Sequence, residues 1–355
     1  MAVSKLQLAR VGPFEEAEFD LVPGVNVFLG ANSTGKTFAM KSLYSVLKSF
    51  GPELKPGSAS KEALREKLAG VFRPDDGDIR RLVSRTHGKS TGRIRVHLDD
   101  GTEVQATIST AARNPVAKLN LGPTLDRPVI KSTALFLPSR EVLAMFEGFV
   151  AAYQQRELAF DETYYDTAVA LSAAALRGPR PGKLRTVVER LEGELGGKVR
   201  LEGPRFYLHS GNAGRLEAHL LAEGLRKVAS IVHLIANGAL RSGGTLLWDE
   251  PEANLHPRLA EVVVECLGAL AGAGVQVLLA THDYLLADAV SRWNEYRGLA
   301  EFDASARFFQ LRLDTERIVV DSSSTFAGLP SNELLGALLR HHDREQDLIA
   351  RDLDA

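Results

Sequence analysis

Three short stretches of this sequence hold residues whose types and spacing suit chemistry. Gly30-Ala31-Asn32-Ser33-Thr34-Gly35-Lys36-Thr37 is a full GxxxxGK[ST] run, set between an apolar segment and a helical pattern. Its glycines let the backbone curl so that successive N–H groups point inward, and the helix that follows adds a favourable dipole for an anion. Lys36 supplies a point charge for β- and γ-phosphates, and the Thr37 hydroxyl is a ligand suited to Mg²⁺. The stretch therefore reads as a triphosphate cradle, since an accidental Gly-rich turn does not need these flanks. The second stretch, TLLWDEPE (245–252), delivers Asp249 from an apolar strand, placed to hold Mg²⁺ through water. Glu250 follows directly and suits the polarisation of an attacking water. Strands often end in acidic turns, so this pair gains its weight from following the Gly-Lys run in the right order. The third stretch, LLATHD (278–283), is a buried-strand pattern ending in His282. A lone His at a strand end is commonly structural; here it lies one crossover helix after the acidic strand, where a γ-phosphate sensor belongs.

These residues need particular elements to bring them together. Residues 3–9 and 15–21 read as strands around a Gly12–Pro13 turn, and 25–30 as a short buried strand ending at Gly30. From Thr37, Leu43, Val46, Leu47 and Phe50 fall at helical spacing until Gly51–Pro52. A loop (51–60) and a short helix (61–70) follow, and RIRVHL and EVQATI flank an Asp100–Gly101 hairpin turn. The apolar strand 133–138 runs into SREVLAMFEGF, where Ser139 is placed to cap a helix. Residues 141–195 read as mostly helical, interrupted at 177–183, and 199–221 return to strand and turn chemistry. An amphipathic helix over 223–239, a buried strand over 275–283, an edge hairpin and a charged helical tail (331–355) complete the chain. The expected organisation is α/β: an N-terminal lobe (1–140), a helical insertion (141–198), a C-terminal lobe (199–325) and a helical tail (326–355).

Composition narrows the classes. At 355 residues with a formal net charge of −2, the chain can build a sizeable core and is not a general polyanion binder. Any nucleic-acid surface must be local. One candidate is Arg73, Arg80, Arg81, Arg85, Lys89, Arg93 and Arg95, and another is Arg177, Arg180, Lys183 and Arg185. Both read either as solvated surface or as salt-sensitive phosphate contacts, and neither has the aromatic interleaving of a single-strand binder. The single Cys266 excludes an internal disulfide framework and suits a reducing compartment. The N-terminus has no secretory pattern and no apolar run approaches a membrane span, so a soluble, cytoplasmic protein is expected. His341–His342 stand without a Cys or second His cluster, and the acids Asp343, Glu345, Asp347, Asp352 and Asp354 follow a charged-helix pattern.

At the three stretches the chain resembles ABC-type ATPases of the SMC/RecF/OLD branch. GANSTGKT looks like their Walker A, LLWDEPE their Walker B with its glutamate, EANLHP their D-loop and ATHD their H-loop. The opening LQLARVGPFEEAEFDLVPGVNVFLG is similar to their N-terminal lobe, and the resemblance covers roughly 3–50 and 200–290. It implies an ABC-type P-loop ATPase head, a mixed sheet with flanking helices and a helical insertion, using ATP and Mg²⁺. Glu250 and His282 are then catalytic, residues 30–37 bind the phosphates, and Thr37 and Asp249 hold the metal. The place of the signature motif is LLAEGLRKVASIV (220–232), where Ala222 replaces the family's Ser and Glu223 its first Gly, leaving Gly224 as the match. Glu223, Gly224 and Asn254 are implied to face a partner's nucleotide in a homodimer. No Gln follows the strand at 133–138; PSRE stands there instead. The gap of about 210 residues between the Walker motifs is too short for a long coiled-coil arm, and nothing after His282 matches the acidic nuclease domain of OLD proteins. The resemblance implies a nucleotide-driven switch in nucleic-acid surveillance or antiphage defence, working with a separately encoded effector. A RecF-like DNA-repair ATPase and a slowly hydrolysing ATP-dependent scaffold are the rivals, with an ABC transporter subunit a poorer fit. The helical insertion and the tail are the surfaces expected to be free for a partner.

Overall fold

The computed structural model describes residues 2–52, 60–84, 88–111, 116–120, 130, 132–176, 182–212, 214–296, 304–330 and 332–353. Alternation builds the N-terminal lobe. Leu6, Leu8 and Val11 of β1 (Val3–Val11) and Phe14, Ala17 and Phe19 of β2 (Phe14–Asp20) are buried while their neighbours face out, the period-two pattern of a half-buried strand. β4 (Thr91–Leu98), β5 (Glu103–Ser109) and β6 (Val116–Asn120) extend this antiparallel sheet in the order β2-β1-β4-β5-β6. The Asp100–Gly101 turn joins β4 to β5, with Gly101 at φ +84°.

The second sheet is the one that matters for chemistry. Its order is β14-β13-β3-β12-β11-β7. β3 (Val25–Leu29), β7 (Ala134–Leu137), β11 (Thr245–Asp249), β12 (Gln276–Thr281) and β13 (Ala306–Asp314) run parallel, and β14 (Arg317–Ser323) pairs antiparallel at the edge. All residues of β3, β7, β11 and β12 are buried, as expected for parallel strands covered on both faces. Successive residues serve different cores. Val27, Trp248 and Leu279 join the core under α6 (Glu223–Ala236), α7 (Pro257–Gly272) and α8 (Tyr284–Glu295). Phe28, Leu247 and Leu278 join the core shared by α1 (Lys36–Ser49), α2 (Ser60–Phe72) and the N-terminal sheet.

The middle of the chain differs from its sequence reading in two ways. Ser139 caps no helix: residues 139–148 hold a single 3₁₀ turn over Leu143–Met145, and α3 (Phe149–Gln154) begins only after Gly148, at φ +73°. The Glu141 carboxylate is engaged elsewhere, accepting from the Ala144 amide at 3.1 Å and from Arg226 at 2.6 Å, which fixes the segment in a non-helical path. The helical insertion, expected as a free surface, is in part docked on the head. α4 (Glu162–Leu171) buries Thr163, Thr167, Ala168 and Leu171, and the Thr167 hydroxyl donates to the Phe136 carbonyl of β7 at 2.6 Å. Ion pairs and one hydrogen bond tie this helix and its N-cap to the N-terminal lobe: Lys41 pairs with Asp161 at 2.8 Å, the Tyr44 hydroxyl donates to Asp166 at 2.6 Å, and Lys67 pairs with both Glu162 and Asp166. α5 (Gly182–Leu195) packs Val187, Val188 and Leu191 against α6 and α7. A three-stranded sheet of β8 (Lys198–Glu202), β9 (Arg205–Ser210) and β10 (Gly214–Glu217) then leads to α6. α9 (Glu333–Leu353) is the last helix. No helix among the described residues is long and apolar enough to cross a membrane.

Candidate functional site

β3 ends at Leu29, and the chain turns through residues 30–35 before α1 starts at Lys36. Gly30 (φ +148°) and Gly35 (φ +94°) are required by both conformation and space. A Cβ on Gly30 would lie 2.3 Å from the Leu311 carbonyl oxygen, and one on Gly35 would lie 2.7 Å from Phe14 and Pro13. Ser33 also adopts left-handed backbone, at φ +66°. Ala31, Asn32 and Ser33 form an exposed rim, whereas Thr34 and Lys36 are buried. The Lys36 ammonium donates to the carbonyls of Gly30 (2.7 Å) and Ala31 (2.9 Å), so the loop holds its own cation at the mouth of the cradle. Burial pushes the Lys36 pKa down, opposed by the carboxylates of Asp249, Glu250 and Glu252.

Thr37, in the first turn of α1, points its hydroxyl at the end of β11. The Oγ1 atom is 3.0 Å from each carboxylate oxygen of Asp249. Burial is the main cause that pushes the Asp249 pKa up to about 6; Glu250 adds to it and the Thr37 bond opposes it. A hydroxyl and a carboxylate facing each other form a hard-oxygen donor pair, which fits Mg²⁺ completed by phosphate and water. Among the described residues no group of three or more His, Cys, Asp and Glu could by itself hold a metal ion, and His341–His342 belong to none.

Glu250 follows at φ +49°, a left-handed conformation that is strained for a non-glycine residue. Its amide donates to the Ala280 carbonyl of β12 at 2.9 Å, and its own carbonyl accepts from the Lys227 ammonium at 3.1 Å. Because β11 and β12 are neighbours, the Glu250 carboxylate comes within 3.4 Å of His282 Nδ1. The structure thus brings Thr37, Asp249, Glu250 and His282 together beside the phosphate loop.

Three further residues serve the site that the sequence reading did not assign. Glu252 accepts from the Thr281 hydroxyl (2.6 Å) and the His282 amide (3.3 Å), locking the end of β12 to the turn after β11. Burial raises its pKa, and its second oxygen is buried without a partner among the described residues. Its signal was the second glutamate of DEPE. Lys227 is buried on α6, and its signal was a lysine entering the apolar run VASIV. Arg226, the third, pairs with Glu141 at 2.6 Å, so PSRE is bound to the helix that starts at the signature position.

Gly224 lies in the first turn of α6, where a Cβ would sit 2.6 Å from the Asn254 carbonyl oxygen. Gly224 and Asn254 are therefore packed on each other within one chain, with Asn254 at φ +64°. Ser139, Glu141, Glu223, Arg226, Glu250 and Asn254 line an open cleft of about 430 Å³. Among the described residues of the basic stretch, Arg80 pairs with Asp78 (2.7 Å), Arg81 with Asp75 (2.7 Å) and Arg95 with Glu103 (3.2 Å), and Arg73 donates to the Phe160 carbonyl. In the second candidate patch Arg185 pairs with Glu189 at 2.8 Å. Arg85, Arg177, Arg180 and the Lys183 side chain lie outside the described residues.

Residues 139–288 match the family model described as "AAA domain, putative AbiEii toxin, Type IV TA system". No curated protein matches the sequence significantly. Among solved structures, an SMC head bound to the C-winged helix domain of ScpA aligns with a TM-score of 0.54 at 13% identity, covering 91% of this chain and 98% of that one. An Smc head domain with an extended coiled coil, bound to the C-terminal domain of ScpA and derived from Pyrococcus furiosus, aligns at 0.51 and 11% identity, covering 96% and 99%. The chain therefore has the mixed α/β fold of an SMC ATPase head, and its residues 139–288 are similar to an AAA domain.

Proposed function

We propose that this chain binds ATP with Mg²⁺ at residues 30–37 and hydrolyses it as a conformational switch. The observation that carries the reading is the Thr37–Asp249 contact at 3.0 Å, with Glu250 and His282 3.4 Å apart beside it. The bound cation supplies neutralisation of phosphate charge, held by the Thr37 hydroxyl and the Asp249 carboxylate. Lys36 exchanges its loop carbonyls for phosphate oxygens, a charge-assisted contact stronger than the ones it gives up. Glu250, which keeps a third of its side chain exposed, accepts the proton of the attacking water. His282 orients that carboxylate and senses the γ-phosphate.

Two copies are proposed to close on two ATP molecules, with Glu223, Gly224 and Asn254 presented to the partner's nucleotide. In support, Glu223 and Asn254 share the wall of an open cleft with Glu250. The role proposed is nucleic-acid surveillance or antiphage defence in the cytoplasm, acting through a separately encoded effector. Two things support it: the toxin–antitoxin description of the matched family, and the SMC heads solved with a bound ScpA domain. A second reading, a slowly hydrolysing scaffold, draws on the Glu223 carboxylate in that cleft, which repels an incoming γ-phosphate.

The test uses three proteins: parent, Lys36→Ala and Glu250→Gln. Lys36→Ala is expected to lose ATP binding. Glu250→Gln is expected to bind ATP with parental affinity and to release phosphate at least ~100-fold more slowly, the usual size of a general-base effect. Parental turnover by Glu250→Gln would move the base to another residue, and parental ATP binding by Lys36→Ala would overturn the cradle.

A further inference from the structure

α9 is anchored at its root and open along the rest of its length. Leu334 packs on the core, the Asn332 side chain accepts from the Leu335 amide at 3.0 Å, and the same side chain donates to the Phe326 carbonyl at 3.0 Å. From Ala337 to Ile349 every residue is exposed. That span includes four large apolar side chains: Leu338 (49% exposed), Leu339 (53%), Leu348 (66%) and Ile349 (48%). Leu335, Leu338, His342, Glu345 and Ile349 follow the three- and four-residue spacing of one helix face, with Leu339 and Leu348 at its margins. Helices draw most of their stability in proteins from packing such a face, and here nothing among the described residues covers it.

We propose that this face is covered by the same face of a second copy, in antiparallel pairing that needs no nucleotide. The order of residues along the helix selects both occupant and direction. Two apolar ends, Leu335–Leu339 and Leu348–Ile349, bracket a polar centre containing His342 and Glu345. An antiparallel pair centred between residues 343 and 344 sets Leu338 against the partner's Ile349 and His342 against the partner's Glu345, each twice. A parallel pair in register sets Glu345 against the partner's Glu345, an unfavourable like-charge contact, and gives His342 no acceptor. The helix has 21 residues, about 30 Å at ~1.5 Å per residue, so the two heads sit at opposite ends of the pair and do not collide. One helix per subunit is a small contact, below the ~1,200 Å² of stable interfaces, so the dimer is weak and concentration-dependent.

Sedimentation velocity of the whole nucleotide-free chain over a concentration series tests this. The parent is expected to shift from monomer to dimer with rising concentration. Leu338→Asp combined with Ile349→Asp is expected to weaken that association at least ~10-fold. Retained ATP binding and the parental circular dichroism spectrum show that the double variant is folded. Direction is read by disulfide trapping, with the sole native thiol, Cys266, buried and out of the way. Leu338→Cys mixed with Ile349→Cys is expected to cross-link efficiently, and either variant alone poorly. His342→Glu is expected to weaken the dimer, and adding Glu345→His to restore it, because the swap preserves the opposed pair. A monomer at every concentration, a dimer unaffected by the two aspartates, or cross-linking of like positions alone would overturn the proposal.

Discussion

At the scale of single residues, Asp249 is poised against its own ionisation. Its pKa stands at about 6 against an ordinary 3.8, chiefly through burial. The sign follows from linkage. A group whose folded pKa is raised contributes its stabilisation in full below the unfolded value and loses it as pH rises through the folded one. The ionised carboxylate therefore costs the nucleotide-free protein about 3 kcal/mol above pH 6, the whole loss falling between about pH 4 and 6. Asp249→Asn, which keeps an acceptor for the Thr37 hydroxyl, is expected to stabilise the nucleotide-free protein by up to that amount at pH 8 and hardly at all at pH 4. Urea unfolding at the two pH values measures it; equal effects at both would remove the buried charge as the cause. The same carboxylate must be ionised to hold a cation, so Mg²⁺-dependent nucleotide binding is expected to weaken as pH falls below about 6. Isothermal titration over pH 5–8 reads this directly.

Between elements, the contact with the most to explain is Glu141 with Arg226. It joins the segment after β7 to the first turns of α6, and both side chains are largely buried, at 6% and 16% exposure. Removing one partner strands the other charge in a desolvated setting, so Glu141→Ala and Arg226→Ala are each expected to cost about 3 kcal/mol. The double variant should cost clearly less than the two together, because no orphaned charge remains. A double-mutant cycle by urea unfolding decides it, and additive losses would mean that the two residues act separately. The packing of α4 follows similar logic, with Lys41, Tyr44 and Lys67 of the N-terminal lobe meeting Asp161, Glu162 and Asp166.

For the molecule as a whole, the two proposed associations can be tested separately. Nucleotide-driven closure is expected to appear in Glu250→Gln carrying Leu338→Asp and Ile349→Asp: monomeric without ATP and dimeric with it. Sedimentation in the two conditions tests this, and a monomer in both would rule out the two-ATP arrangement. The chain alone is also expected to cut no nucleic acid. Its candidate metal carboxylate belongs to the proposed ATP site, and among the described residues no group of three or more His, Cys, Asp and Glu could hold a metal ion. Plasmid, single-stranded DNA and RNA incubated with the purified chain, ATP and Mg²⁺ or Mn²⁺ provide the check. Cleavage that a site variant abolishes would contradict it.

The sequence by itself determined the phosphate loop, because strand, glycine turn and helix N-terminus are contiguous and the chemistry lies in their own backbone. It also placed Asp249, Glu250 and His282 at the ends of buried strands, since unbroken apolar runs mark parallel strands wherever they pair. Strand order was another matter. That β12 lies between β3 and β11, and so sets His282 beside Glu250, is a property of the assembled sheet. The same holds for Glu252 with Thr281, Lys227 with the Glu250 carbonyl, and Glu141 with Arg226. Local pattern placed a helix where Glu141 instead turns to meet Arg226, and a free helical surface where α4 docks on β7. Periodicity reports which face of a segment is apolar; which distant surface covers it depends on long-range packing, and only the tertiary structure decided that.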